Sequence, residues 1–181
     1  AYDMCIRNED TPTLDGWLVI PNTLESGWID LYHVPSQQRI IESLGRQADI
    51  RSGTERPAIV MALQICILRD ILWIVAGYED GVLQAWTIPV STMEPTLVWT
   101  HKSHAESIMA LSMSPTCDSV LSLGADYNIV RTALHQEAVP HVQRIKRPGH
   151  ACASVRWDER VCVLGGWDAC ARVFTWPSLE P

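Results

Sequence analysis

Two histidine–aspartate pairs carry the residue types that could do acid–base chemistry in this chain of 181 residues. His104 precedes Asp126 by 22 residues, and His150 precedes Asp168 by 18. A histidine oriented by a carboxylate acts as a general base once a hydroxyl lies within reach, and Ser107 and Ser154 stand shortly after the two histidines. A catalytic pair is needed only once, however, so a pair that recurs along the chain asks for a structural reason. A second candidate chemistry is soft-metal ligation by His150, Cys152 and Cys162. Structural zinc sites take four ligands at tighter spacing, and the six cysteines include no C-x-x-C pair, so neither a metal nor another cofactor is expected. Gly77, Gly81, Gly124, Gly165 and Gly166 fall in no phosphate-cradling pattern and read as turn and close-packing glycines.

The structural reason for the recurrence lies in the elements around the pairs. Three segments superimpose: AGYEDGVLQAW (76–86), LGADYNIVRT (123–132) and GGWDACARVF (165–174). Each reads as strand, tight turn, strand. Their aligned turn residues Asp80, Asp126 and Asp168 are spaced by 46 and 42, the period of four-stranded WD-type propeller blades. Six residues after each Asp comes Trp86, Thr132 or Phe174, with Trp86 and Phe174 expected in the blade core. The segments leading in, IVMAL (59–63), IMALS (108–112) and ASVRW (153–157), read as inner strands. Ser114–Asp118, with Pro115 presetting a bend, reads as the turn after one of them. A degraded copy at the front runs through Trp17–Ile20, the turn Ser26–Gly27 and Trp28–Val34.

The expected fold is therefore all-β, a WD-repeat propeller with blade units over 1–44, 58–100, 104–146 and 150–181. Residues 47–57, polar and aperiodic, read as an exposed loop or insertion. In such a blade the segment before the inner strand folds back over the central turn, so each His–Asp pair would fasten a blade. Gly81 after Asp80 is the dipeptide favoured where both central turn residues need positive φ. The residues flanking the turn aspartates, Tyr78, Glu79, Tyr127 and Trp167, are expected to point from the loop face as candidate partner-binding residues, an exposed Trp being an effective anchor.

Composition narrows the function classes. At 47% apolar and 19% charged residues the chain is too apolar for extensive disorder. A net charge of -7 without a basic run argues against nucleic-acid binding, and Arg144–Arg147 reads as a solvated segment. The stretch 58–77 has the length of a membrane span, but Arg69 and Asp70 near its middle make it two buried strands joined by a turn. No secretory signal opens the chain, and the absence of an initiator Met suggests a missing upstream segment. Reduced thiols would suit an intracellular protein.

Three stretches go beyond generic repeat character: VIPNTLESGWIDLYHVPSQQRI (19–40), IVMALQICILRDILWIVAGYEDG (59–81) and GGWDACARVFTWPSLEP (165–181). On these the chain resembles the fungal ASTRA-associated protein 1 family of WD-repeat proteins, itself similar to the animal guanine nucleotide-binding protein beta-like subunit. The resemblance implies a seven-bladed ring of which this chain supplies four units, and a non-catalytic nuclear and cytoplasmic scaffold of the ASTRA complex. It further implies protein partners, a link to chromatin remodelling and a role in maturation of phosphatidylinositol-kinase-related kinases, with no membrane or small-molecule partner. The family offers no catalytic residues to carry over. Ser26 for the turn acid, Thr132 for the closing aromatic and Ala169 for the turn glycine depart from the pattern. The alternative reading is a WD adaptor that takes a modified peptide such as a histone tail in a cage of Glu79, Tyr127 and Trp167. A hydrolase or isomerase working in the central channel would need convergent acids or ligands on the inner strands, which supply mainly Met, Ala, Leu, Val and Ser.

Overall fold

In a computed structural model of the chain, the structure describes residues 1–7, 15–46, 57–135, 140–145, 150–155, 158 and 160–181. The segment 47–57 expected as a loop lies almost wholly outside the described residues. The described strands form four antiparallel sheets, each laid down in chain order. The first contains β1 (Asp3–Arg7), β2 (Asp15–Pro21), β3 (Ile29–His33) and β4 (Gln38–Leu44). The second contains β5 (Val60–Leu68), β6 (Ile71–Tyr78), β7 (Val82–Pro89) and β8 (Thr96–Lys102). The third contains β9 (Ile108–Met113), β10 (Ser119–Gly124), β11 (Asn128–Ala133) and β12 (His141–Arg144). Among the described residues the fourth has three strands, β13 (His150–Val155), β14 (Val161–Gly166) and β15 (Ala171–Thr175).

The first strands β1, β5, β9 and β13 are neighbours in that order, and β5, β9 and β13 also pack against the second strand of the preceding sheet. This is the arrangement of propeller blades around an axis, and the fold is an all-β WD-repeat propeller arc.

Side-chain alternation explains why the blades stack. On β6, Leu72 and Ile74 join Val19, Leu31 and Trp86 between the first and second blades, while Trp73 and Val75 join Ile108, Val120 and Trp99 between the second and third. On β10, Val120 faces the second blade, and Leu121 and Leu123 face the fourth, with Leu164, Phe174 and Trp176. A strand buried on both faces must be apolar throughout. That accounts for the hydrophobic run 58–77, which forms β5 and β6. Among the described residues no helix is long and apolar enough to cross a membrane. The outer strand β12 is mostly exposed and β4 carries exposed Gln38, Arg39 and Glu42, which suits a sheet edge.

The blades repeat in fine detail. In the second, third and fourth, one residue of the inner strand is bulged out: Met61, Met109 and Ala151 respectively. Each bulge sits opposite the residue two before the turn aspartate. A bulge adds local twist and re-aims the chain, here at the point where the inner strand meets the turn.

The three-residue turn between β6 and β7 differs from the sequence expectation. Only Gly81 has positive φ, at 82°, and its N–H donates to the Tyr78 carbonyl at 3.0 Å. This is a turn closed by a single left-handed residue rather than a two-residue turn with both centres left-handed. The latter type joins β5 to β6, where Arg69 and Asp70 have φ of 51° and 61°.

Candidate functional site

The three turn aspartates share one local role. Each carboxylate accepts the backbone N–H two residues on: Asp80 from Val82 at 3.0 Å, Asp126 from Asn128 at 2.9 Å, and Asp168 from Cys170 at 3.3 Å. Aspartate suits a tight turn because its short side chain can mimic the missing backbone acceptor. Beyond this the three diverge. Asp80 is exposed, and its carbonyl receives the Lys102 ammonium.

Asp126 is buried and is the centre of a network. His104 Nδ1 lies 3.0 Å from Asp126 Oδ1, and the Ala105 N–H donates to Oδ2 at 3.0 Å. On its other side, His104 Nε2 lies 2.9 Å from Ser122 Oγ. With the carboxylate ionised, Nδ1 carries a proton toward it, and the Ser122 hydroxyl also donates to the Val130 carbonyl at 3.4 Å. Burial opposes ionisation of Asp126, but the hydrogen bonds from His104, Asn128 and Ala105 outweigh it and hold the carboxyl below its ordinary range.

Ser122, His104 and Asp126 thus have the connectivity of a serine-hydrolase triad. Access separates them from one. Ser122 is fully buried, His104 is 2% exposed and Asp126 6%, and Ser122 lies on a strand buried along its whole length. No carbonyl could approach the hydroxyl without parting the second and third blades. Of the serines weighed from the sequence, Ser107 donates instead to the Glu79 carbonyl at 2.6 Å, and the side chain of Ser154 lies outside the description. Sequence reasoning did not reach Ser122. Its signal was a polar residue between Leu121 and Leu123 in the apolar run of a central strand.

What the network does is join blades. The backbone N–H groups of Ser103 and His104 both donate to the Gly81 carbonyl, each at 3.1 Å, fixing the connecting segment to the second blade's turn. The His104 side chain then reaches the third blade's turn. A Cβ on Gly81 would stand 2.2 Å from the His104 carbonyl oxygen, so the junction requires glycine there.

In the fourth blade Asp168 meets Arg172, whose two guanidinium nitrogens donate to the two carboxylate oxygens at 3.0 and 2.6 Å. The guanidinium holds the Asp168 carboxyl well below the usual carboxylate range. His150 pairs through its backbone with Gly166, and its side chain, like that of Cys152, lies outside the described residues. Cys162 is buried in the apolar cluster between the third and fourth blades, where burial pushes its thiol up to about 11. In the first blade, buried Asp30 accepts from Asn22 at 3.0 Å and from Arg39 at 3.3 Å. Asp30 was not legible as a network centre because it stands on a strand, away from the repeated turn.

Trp86 and Phe174 are both buried, 5% exposed, in the clusters facing the preceding blade. Of the candidate binding residues, Trp167 is 58% exposed and Tyr127 44%, and Glu79 is exposed while its carboxylate accepts the Ile59 N–H at 3.1 Å. Tyr78 corrects the expectation. It is 6% exposed, and its hydroxyl donates to Gln84 Oε1 at 2.9 Å, because as the last residue of β6 it alternates into the cluster between the first and second blades. The Tyr127 ring is already covered by the Arg144 guanidinium at 5.6 Å.

No protein-family model matches the chain. Among curated proteins it is 29% identical to ASTRA-associated protein 1 of Verticillium alfalfae, over 99% of this chain and 45% of that one. It is 24% identical to ASTRA-associated protein 1 of Schizosaccharomyces japonicus, over 91% of this chain and 50% of that one. It is 26% identical to the mouse guanine nucleotide-binding protein subunit beta-like protein 1, over 91% of this chain and 49% of that one. These relatives bear out the resemblance read from the sequence, and the chain spans about half their length. Among solved structures, a chain of a mitotic checkpoint complex aligns with a TM-score of 0.65 at 15% identity, over 92% of this chain and 46% of that one. The computationally designed Ika8 protein aligns with a TM-score of 0.60 at 15% identity, over 97% of this chain and 45% of that one. Both likenesses bear on the fold alone.

Proposed function

We propose that the chain is a non-catalytic WD-repeat scaffold in an ASTRA-type assembly, binding protein subunits through the face that carries the turns after β6, β10 and β14. The observation that carries this reading is the burial of Ser122, His104 and Asp126: the constellation best suited to chemistry is spent on fastening two blades. The names of the curated relatives support the assembly. Exposed Trp167 and Tyr127 stand on the turn face as rigid anchors of the type that dominates protein interfaces. On this reading the assembly works in chromatin remodelling and in maturation of phosphatidylinositol-kinase-related kinases, in the nucleus and cytoplasm. Arg144 over the Tyr127 ring disfavours the alternative of a cage for a modified peptide, since the aromatic face is filled by the protein's own cation.

Affinity capture of the tagged chain from its own cells, with mass spectrometry of the captured proteins, tests the reading. Recovery of ASTRA subunits and kinase-maturation factors, reduced by Trp167→Ala with folding retained, is expected. Recovery of histones alone, or of nothing beyond an untagged control, overturns it.

A further inference from the structure

Three cysteines from three successive blades converge at the end of the arc opposite the turn aspartates. Cys5 lies on β1, Cys66 near the end of β5, and Cys117 in the turn between β9 and β10. The strands are pinned side by side at this level. Asp3 Oδ2 accepts the Ile65 N–H at 2.7 Å, and Gln64 Oε1 accepts the Met113 N–H at 3.1 Å. Cys66 and Cys117 lie within hydrogen-bonding reach of each other across the second and third blades, with Cys5 close enough to act on Cys66 electrostatically. All three are half-buried and outside any disulfide, in contrast to sealed Cys162.

We propose that Cys66 and Cys117 are an oxidation-sensitive pair that closes into a disulfide between the second and third blades when the protein meets hydrogen peroxide. Cys117 is the sulfur that reacts first. It sits in a turn flanked by exposed Thr116 and Asp118, at a left-handed φ of 53°, where peroxide can reach it. The hydrogen bond to Cys117, followed by burial, pushes the Cys66 thiol up, so Cys66 keeps its proton while Cys117 is oxidised; the larger of these causes is lost once Cys117 carries oxygen, and Cys66 then gives up its proton as it attacks.

The chemistry balances in two steps. One peroxide oxygen transfers to Cys117, giving a sulfenic acid and one water. The Cys66 sulfur then displaces the sulfenic hydroxyl: the S–S bond forms, the Cys117 S–O and Cys66 S–H bonds break, and hydroxyl and proton leave as a second water. Two thiols are oxidised by two electrons and one peroxide is reduced to two waters. Because the turn between β9 and β10 is short and hydrogen-bonded through the Cys117 N–H to the Ser114 carbonyl at 2.9 Å, only the turn tip has to shift.

The test treats the reduced full chain with a small excess of hydrogen peroxide, blocks free thiols with N-ethylmaleimide and identifies peptides by mass spectrometry without reduction. A Cys66–Cys117 crosslinked peptide is expected while Cys170 remains largely alkylated. In Cys66→Ser the reaction is expected to stop at a Cys117 sulfenic acid trapped by dimedone. Cys66 and Cys117 staying as alkylatable as before treatment, or Cys66 crosslinked to Cys5 instead, overturns the proposal.

Discussion

At the scale of single residues, the aspartates show how one residue type in one repeated position acquires different energetic weight. Asp80 and Asp126 each close a turn, but only Asp126 is buried and shares His104 and Ser122 with the core. Because its folded carboxyl ionises at lower pH than an unfolded one, its contribution to stability is complete above the unfolded value near 4 and is lost as pH falls through the folded value. Asp126→Asn therefore unfolds at lower denaturant concentration than the wild type at pH 7, and the gap between the two narrows as the pH is taken down toward 2. A gap that stays constant with pH in urea titrations would show that the charge of Asp126 contributes nothing. Thr132 offers the converse case. Its hydroxyl is buried and, among the described residues, meets no hydrogen-bond partner, so Thr132→Val raises unfolding free energy by about 1 kcal/mol, read in the same titration.

At the scale of elements, the repeated hairpins were legible because their turn chemistry is local. Asp at fixed spacing, Gly81 after it and alternating apolar runs are short-range signals, and they located β6–β7, β10–β11 and β14–β15. The three-residue geometry of the β6–β7 turn and the burial of Tyr78 were not legible, since both depend on where the strand's last residue falls relative to the adjacent blade. The Arg172 fork on Asp168 escaped notice because an i,i+4 pair spanning a turn looks like ordinary surface charge in sequence. Ala169 occupies the left-handed position of its turn at φ 60°, where L side chains are strained. Ala169→Gly is expected to stabilise by roughly 0.5 kcal/mol, the relief of strain being partly offset by glycine's greater entropy loss. Gly81→Ala, which sets a methyl against the His104 carbonyl, costs about 2 kcal/mol or more. Thermal melts of the two variants move in opposite directions if this assignment is right.

At the scale of the whole molecule, the buried apolar clusters lie between blades. Each inter-blade cluster draws on both neighbours, and the Trp99 indole N–H donates across a blade boundary to the Leu134 carbonyl at 3.1 Å. Buried tryptophans are distributed through the arc, at Trp17, Trp73, Trp86, Trp99 and Trp176. Their fluorescence and the far-ultraviolet circular dichroism are accordingly expected to change at the same denaturant midpoint, whereas separated midpoints would mean that blades unfold independently. Which surface meets a partner was only partly legible. Exposure of Trp167 followed from its place beside a turn aspartate, but blade-to-blade packing decided against Tyr78.

The claim on which the functional reading turns is that the serine–histidine–aspartate constellation fastens blades. A double-mutant cycle of His104→Ala and Asp126→Ala, followed by urea unfolding, measures this directly. Each single variant is expected to lose about 2–3 kcal/mol, with a coupling of at least about 1 kcal/mol between them. Single variants as stable as the wild type, with no coupling between the two positions, would contradict it.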